Sequence, residues 1–266
     1  MGDSSNPCTI AIFGATGHTG RVIVRHLLAQ QKSKSLRLQI YVRNKGRLLD
    51  FFPDIESKRD VRVFQGLLTD TEVVKRTLSA AQIIICTLGE NDNIPGVRIL
   101  QDGANSIIAS LEDFKANQED WQKPRLFLLS SSTFNARFAA DRPPLVHWLI
   151  KTAFSHPYAD LIKAQARLLE STSLLSVTLI QPPVLIDEEG TGHEINTESV
   201  RLAVSYEDLG AAFCELVLEE QYHNLNAVGV SSKQGDRVLR YAPEILRRIF
   251  WGMYAHIIHL IFHSKA

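Results

Sequence analysis

The chain is poor in the residues that would tie it to disulfides, metals or charged partners. Cysteine occurs only three times in 266 residues, at scattered apolar positions, so neither a disulfide framework nor a metal-ligand spacing is present. Lys plus Arg and Asp plus Glu both total 29, a balance that gives no basis for nucleic-acid binding. The first residues lack the apolar segment of a signal peptide. We therefore expect a reduced, cytoplasmic protein with no metal and no nucleic-acid partner.

The chain also lacks an apolar run of the roughly 20 residues that cross a bilayer. Its most apolar segment, 245–262, is apolar on nearly all sides, and its uncharged part, 249–262, is shorter than a membrane span. This segment predicts an apolar C-terminal helix. Three roles are open for it: a buried or dimer-facing helix, a helix on a membrane surface, or a lid over a substrate pocket.

The rest of the sequence alternates between strand and helix patterns. Strands are predicted at 8–13, 36–42, 61–65, 82–88, 125–129, 176–181 and 226–230, the last as an edge strand. Helices are predicted at 18–31, 46–52, 71–80, 97–111, 145–154, 159–170 and from the N-cap Ser205 to about 219. This order predicts an α/β fold with a doubly wound, Rossmann-like parallel sheet covered on both faces. We expect one domain over 1–235 and an apolar helical extension over 236–266.

A glycine-rich turn lies between the first predicted strand and helix. It reads Gly14-Ala15-Thr16-Gly17-His18-Thr19-Gly20. The first glycine permits a sharp turn, the second a close approach to a pyrophosphate, and the third close packing of helix on strand. Phosphates would then meet free N–H groups at the positive end of the helix dipole. The turn predicts a dinucleotide site, with a ligand-free tight turn as the alternative and His18 as a loop-filling side chain.

Arg43 follows the second predicted strand, where an acidic residue would bind the ribose 2′-hydroxyl of NAD. Residues 41–45 contain no Asp or Glu, and an arginine there suits the 2′-phosphate of NADP. NADP(H) is therefore the expected cofactor. The alternative is that Arg43 is an ordinary solvated arginine.

Further polar residues follow the fifth strand and occupy the next helices. Ser130, Ser131 and Ser132 could donate to a substrate carbonyl or the nicotinamide amide, or could satisfy backbone groups only. Tyr158 and Lys163 invite comparison with a catalytic Tyr-x-x-x-Lys pair, in which lysine lowers the pKa of a proton-donating tyrosine. Their spacing is one residue too long, which turns the second side chain about 100° further around the helix. A pocket or surface role for Tyr158 is the alternative.

Several motifs together give the chain a family resemblance. They are the Gly14–Gly20 turn, Val42-Arg43-Asn44, Leu88-Gly89-Glu90-Asn91-Asp92, Ser130-Ser131-Ser132-Thr133-Phe134 and Gln181-Pro182-Pro183. In order and spacing the set resembles the atypical short-chain dehydrogenase/reductases, of the NmrA-like and biliverdin-reductase-B (flavin reductase) type. The resemblance covers about residues 8–232.

The resemblance implies roles for particular residues. The cofactor would contact the turn residues Gly14, Thr16, Gly17, His18, Thr19 and Gly20, then Arg43, Leu88, Gly89, Ser131, Pro182, Pro183 and Val184. Ser132 would lie beside the nicotinamide and the substrate, and it joins Tyr158 and Lys163 as a catalytic candidate. The chain departs from its relatives in having Val184 for a histidine, Gly66-Leu67 for Gly-Asp, no Tyr-x-x-x-Lys pair, and an extension after Ser232. NmrA-like enzymes of secondary metabolism show such extensions.

Two functions are consistent with this sequence. The first is an NADPH-dependent reductase of a bulky conjugated small molecule, such as a flavin, quinone, enone or secondary-metabolite intermediate. Hydride transfer to such acceptors needs little acid catalysis. The second is a non-reductive use of the scaffold, either as a dinucleotide-binding redox sensor or as a cyclase or isomerase of natural products.

Overall fold

The computed structural model describes residues 7–236 and 242–263. Its strands are β1 (Cys8–Phe13), β2 (Leu36–Val42), β3 (Val61–Gln65), β4 (Ile83–Cys86), β5 (Arg125–Leu129), β6 (Ser176–Ile180), β7 (Val184–Ile186), β8 (His193–Asn196), β9 (Ala203–Ser205) and β10 (Ala227–Ser232). Its helices are α1 (His18–Gln30), α2 (Lys45–Phe51), α3 (Thr71–Leu78), α4 (Ile99–Asn117), α5 (Pro144–Ala153), α6 (Ser155–Glu170), α7 (Tyr206–Leu218) and α8 (Ala242–His263).

Eight strands form one sheet in the order β3-β2-β1-β4-β5-β6-β10-β8. Seven of them pair in parallel, and β8 pairs antiparallel to β10. The strand order reverses between β1 and β4, and in doubly wound sheets ligands bind at the carboxyl ends of the strands beside such a reversal. The doubly wound α/β fold expected from the sequence is confirmed.

Both faces of the sheet are buried, because successive side chains of a strand point to opposite faces. In β1, Ile10 and Ile12 join the apolar cluster that also holds residues of α1 and α7. Ala11 and Phe13 join the opposite cluster, which holds residues of α3, α4 and α6. The central strand β4 is buried at every position. These apolar layers hold the ends of β1, β4 and β5 rigidly beside one another.

The predicted edge strand of the sheet was wrong. β10 was expected there, but it lies between β6 and β8, and β8 forms the edge. The small parallel sheet of β7 and β9 was also missed. These strands are three or four residues long, and β8 reads His-Glu-Ile-Asn, so neither length nor alternation marks them.

Helix α8 packs closely against α5. A Cβ atom at Gly252 would lie 2.1 Å from the carbonyl oxygen of Ala153, so only glycine permits this approach. Asn93 Nδ2 donates a hydrogen bond of 2.9 Å to the carbonyl of Gly252, and Ser155 Oγ lies 2.9 Å from His256 Nδ1. Helix α8 is thereby fixed over the carboxyl edge of the sheet.

The outward face of α8 carries exposed large apolar side chains. They are Leu246, Phe250, Trp251, Tyr254, Ile257, Ile258 and Ile261. Within residues 7–236 and 242–263, no helix has the length and apolarity needed to cross a bilayer. The outward face is available for the dimer or membrane-surface contact that the sequence leaves open.

Candidate active site

A cavity of about 610 Å³ lies at the carboxyl edge of the sheet. Its walls come from the turn after β1, from the segments after β4, β5 and β6, and from α5, α6 and α8. Cavities of this size accept ligands as large as a cofactor fragment with a small substrate. The cavity lies where a doubly wound sheet binds its ligands.

The glycine turn has the backbone geometry expected of a phosphate-binding loop. Gly14 has a φ of +95°, and a Cβ there would lie 2.6 Å from the carbonyl carbon of Thr87 on the neighbouring strand's extension. A Cβ at Gly20 would lie 2.0 Å from the carbonyl oxygen of Gly14, so α1 packs directly on the turn. Gly17 N donates to that same oxygen over 3.1 Å and closes the turn.

The N-terminus of α1 has no side-chain cap and no acidic residue in its first turn. Helices α7 and α3 do have side-chain caps: Ser205 accepts from the backbone N–H of Asp208, and Asp70 accepts from that of Val73. Helices α5 and α6 lack a side-chain N-cap, as α1 does. Residues 17–20 of the uncapped turn line the cavity. The helix dipole and these N–H groups fit a pyrophosphate.

The His18 ring packs beside the turn, in surroundings that disfavour its protonated form. Its imidazole stacks on Tyr206 with 4.9 Å between ring centroids, and Arg21 Nη2 lies 3.1 Å from its Nδ1. Burial, and next the charge of Arg21, lower the pKa of His18 below its ordinary value. A stacked imidazole fits the expected loop-filling role.

Arg43 is exposed at the carboxyl end of β2, one strand from the turn after β1. Its neighbour Asn44 caps α2 by accepting a hydrogen bond of 3.2 Å from the backbone N–H of Arg47. Arg43, Gly14 and Thr16 do not line the cavity itself. Arg43 therefore lies at the edge of the sheet where the far end of a dinucleotide extends.

The serines after β5 are engaged within the protein. Ser130 Oγ donates to Gln165 Oε1 over 2.8 Å, and Ser131 Oγ accepts from the backbone N–H of Thr133 over 3.2 Å. The backbone N–H of Ser132 donates to the carbonyl of Pro182 over 3.0 Å, which joins the β5 and β6 ends. Ser131 and Ser132 line the cavity with Leu88, Gly89, Pro182, Pro183 and Val184, so these predicted residues are brought together.

Tyr158 and Lys163 are separated by the structure. Tyr158 lines the cavity, its hydroxyl lies 3.4 Å from Thr133 Oγ1, and its ring packs edge-on against Phe134. Lys163 is exposed and does not line the cavity. The catalytic role considered for Lys163 is therefore not supported, because the extra residue in the spacing turns it away from the cavity.

Sequence reasoning missed several cavity residues. Arg142 stands before two prolines with no motif around it, yet it lines the cavity beside Tyr158. The apolar wall formed by Ile150 and Phe154 was also missed. Ile245 and Ile249 of α8 line the cavity too, and a lid over a substrate pocket is one of the three roles that the sequence leaves open for their segment. These residues lie far apart in the chain, and their only local signal was apolar composition.

The fold, the glycine turn and the uncapped helix define a dinucleotide-binding protein of the Rossmann type. A family model described as NAD(P)H-binding matches residues 14–220. The chain belongs to this NAD(P)H-binding family.

Similar proteins are fungal oxidoreductases. Oxidoreductase stcQ of Emericella nidulans is 32% identical over 257 residues, which cover 95% of this chain and 90% of the relative. Averufin oxidase A of Aspergillus flavus is 36% identical over 261 residues, with coverage of 94% and 90%. These relatives make the chain an oxidoreductase.

Solved structures share the fold. A short-chain dehydrogenase/reductase from Veillonella parvula in complex with NADP has a TM-score of 0.66 at 18% identity, covering 86% of this chain and 96% of its own. ChuY of Escherichia coli O157:H7, described as an anaerobilin reductase, has a TM-score of 0.61 at 21% identity, with coverage of 85% and 98%. These structures confirm the expected fold, and the NAD(P)H-binding family model confirms the expected dinucleotide cofactor.

Proposed function

We propose that this protein is an NADPH-dependent reductase of a bulky, conjugated small molecule, such as a flavin, quinone, enone or secondary-metabolite intermediate. One observation carries the proposal: the cavity continues past the glycine turn into a chamber walled by apolar side chains. Ile150, Phe154, Ile245 and Ile249 line it. A planar apolar acceptor would gain most of its affinity from burial against such walls.

The chain's residues divide the cavity between cofactor and acceptor. The turn after β1 would hold the pyrophosphate, and Pro182, Pro183 and Val184 would bound the nicotinamide side. NADPH, when bound, supplies a hydride. Ser132 and Tyr158 lie on the acceptor side, where they orient polar groups of the substrate and exclude water. Because a conjugated acceptor spreads the added charge, a Tyr-x-x-x-Lys pair is not required.

Arg43 supports NADPH over NADH. It stands where an acidic residue would bind the ribose 2′-hydroxyl, and its guanidinium suits a 2′-phosphate. The named oxidoreductases among the relatives support redox chemistry over a sensor, cyclase or isomerase role.

The free cysteines support a cytoplasmic location. Cys8, Cys86 and Cys214 form no disulfide. Burial raises the pKa of the Cys86 and Cys214 thiols to about 12, which suits inert core residues of a reduced protein.

The test is a titration of the full chain with NADPH and NADH, followed by turnover with menadione, FMN and a conjugated enone. We expect NADPH to bind well below about 1 mM and to be consumed with at least one acceptor. No binding up to about 1 mM would refute the proposal. Conversion of an acceptor with no loss of NADPH absorbance would instead support a cyclase or isomerase.

A further inference from the structure

The positively charged side chain of Arg142 lines the acceptor side of the cavity. It precedes Pro143 and Pro144, at the start of α5, and its side chain is partly buried among the cavity walls. Proline at the start of a helix fixes the backbone, so Arg142 leaves the loop in a defined direction. Partly burying a guanidinium costs free energy unless hydrogen bonds or an opposite charge compensate for the lost hydration.

The hydrogen-bond partners of Arg142 are neutral. Its Nη1 donates to Thr133 Oγ1 over 3.1 Å, and its Nη2 donates to Ser132 Oγ over 3.4 Å. None of the ion pairs formed among residues 7–236 and 242–263 includes Arg142. Burial lowers the pKa of this guanidinium, but it stays charged at any working pH. The charge therefore has no carboxylate partner within the described structure.

Three acids line the cavity: Asp187 lies near His18 at the glycine turn, and the other two are hydrogen-bonded to backbone N–H groups. Asp160 accepts from the backbone N–H groups of Leu100 and Gln101 at 2.9 and 3.0 Å and caps α4. Glu90 folds back to accept from the backbone N–H groups of Asn91 and Asp92. Neither neutralises the guanidinium across the cavity.

A second cation adds to the positive potential near Arg142. Burial, and then the charges of Arg142 and Lys151, lower the pKa of His147 on α5. Lys151 itself is exposed and lies 5.6 Å from the centre of the Phe134 ring, which packs edge-on against the cavity residue Tyr158. A positive field beside apolar walls suits an anionic group on a flat apolar ligand.

We propose that Arg142 binds an anionic oxygen of the acceptor substrate: an ionised phenol, enol or carboxylate attached to a conjugated ring system. This inference rests on the proposed reductase function for the identity of the occupant. The Ser132 and Thr133 hydroxyls hold the guanidinium in place, and its free N–H groups face the ligand. Arg142 is thus a specificity residue for acidic aromatic acceptors.

The test compares two ligands of nearly equal shape, anthraquinone-2-carboxylate and anthraquinone-2-carboxamide. Both are titrated into the full chain saturated with NADP⁺, so that binding is measured without turnover. We expect the native protein to prefer the carboxylate by about tenfold or more. Arg142→Met should abolish the preference by weakening carboxylate binding alone, and Arg142→Lys should retain part of it.

Arg137→Met is the matched control, because Arg137 lies in the same loop but pairs with Glu198 and does not line the cavity. The control should keep the native preference. Equal weakening of both ligands in Arg142→Met, or failure of the carboxylate to bind the native protein, would overturn the inference. A tenfold loss of NADPH affinity in Arg142→Met would also overturn the inference, because Arg142 would then bind an anionic group of the cofactor and not of the acceptor.

These outcomes separate the inference from the proposed function. If NADPH binds and is consumed but the carboxylate preference is independent of Arg142, the inference alone fails. If the preference depends on Arg142 but no acceptor is reduced, the reductase proposal alone fails.

Discussion

Two glycines of the phosphate-binding turn, Gly17 and Gly20, carry different constraints. A Cβ at Gly20 would lie 2.0 Å from the carbonyl oxygen of Gly14, whereas a Cβ at Gly17 meets that oxygen at an ordinary 3.4 Å. Nothing else lies within 4 Å of a Cβ at Gly17, and its φ of −75° suits any residue. Gly20 is therefore required by the fold, whereas nothing in the fold requires Gly17, and we propose that the bound pyrophosphate does.

The alanine variants of these glycines should separate the two requirements. Gly20→Ala should lower the free energy of unfolding by about 1–3 kcal/mol, because α1 must move off the turn. Gly17→Ala should unfold at nearly the native denaturant concentration but bind NADPH at least about tenfold more weakly. Urea denaturation and NADPH titration measure both. Equal loss of stability in the two variants would contradict this assignment.

Replacing Arg43 tests the cofactor preference. Arg43→Ala should weaken NADPH binding about tenfold or more and leave NADH binding unchanged, because only NADPH carries the 2′-phosphate. Arg59→Ala, an exposed arginine at the opposite end of the neighbouring strand β3, is the control. A parallel loss for both cofactors would show that Arg43 does not distinguish them.

Local sequence signals pointed to the glycine turn, Arg43, Ser132 and Tyr158, but not to Arg142. The glycine turn and Arg43 could be predicted because each lies directly after a strand. Arg142 could not, since its meeting with Ser132 and Tyr158 depends on how α5 and α6 pack. Lys163 does not line the cavity, because a five-residue spacing does not keep two side chains on one helix face.

At the scale of elements, the contact between α8 and α5 shapes the acceptor chamber. Ile245 and Ile249 of α8 line the cavity, and Gly252 sets how near the helix approaches Ala153. Gly252→Val should push α8 away from α5 and weaken binding of a conjugated acceptor while NADPH affinity stays within about threefold. Titration with menadione and with NADPH checks both.

Leu246→Ala is the control for this variant, because Leu246 lies on the exposed face of α8. It should leave both affinities unchanged. Loss of NADPH binding in Gly252→Val would show that α8 supports the whole fold rather than the chamber.

Element prediction succeeded where a segment was long and periodic. The strands β1, β2 and β3 were predicted within their observed bounds, because each is an apolar run bounded by turn residues. The short strands β7, β8 and β9 depend on pairing across the molecule, so no local pattern marked them. The same long-range pairing placed β10 inside the sheet.

Across the whole molecule, histidines with lowered pKa values predict a loss of stability in acid. His147 and His156 are partly buried and contribute most, whereas solvent screens the exposed His18 and His223. Burial is the largest cause that lowers the pKa values of His18, His147, His156 and His223 below the ordinary value of 6.5. Neighbouring positive groups add to this effect. Well above pH 6.5 these histidines are neutral in both the folded and the unfolded state. As the pH falls below 6.5, the unfolded chain binds protons first, so unfolding becomes more favourable.

The urea concentration at the unfolding midpoint should therefore decrease as the pH is lowered from 7.5 to 5.5. The decrease should level off below the lowered pKa values of the folded protein. His156→Gln should make the decline shallower, because one of the four groups no longer takes up a proton on unfolding. A midpoint that stays constant over this range would contradict the prediction.

The position of α8 has a consequence for how this enzyme can diversify. The phosphate-binding turn lies within the first 20 residues, whereas one wall of the acceptor chamber comes from a helix beyond residue 241. If the proposed acceptor chamber is correct, mutations confined to α8 would change the range of acceptors and leave the residues that bind the dinucleotide unaltered. A variant with a different α8 would keep its cofactor site and gain a different acceptor specificity through changes in one helix.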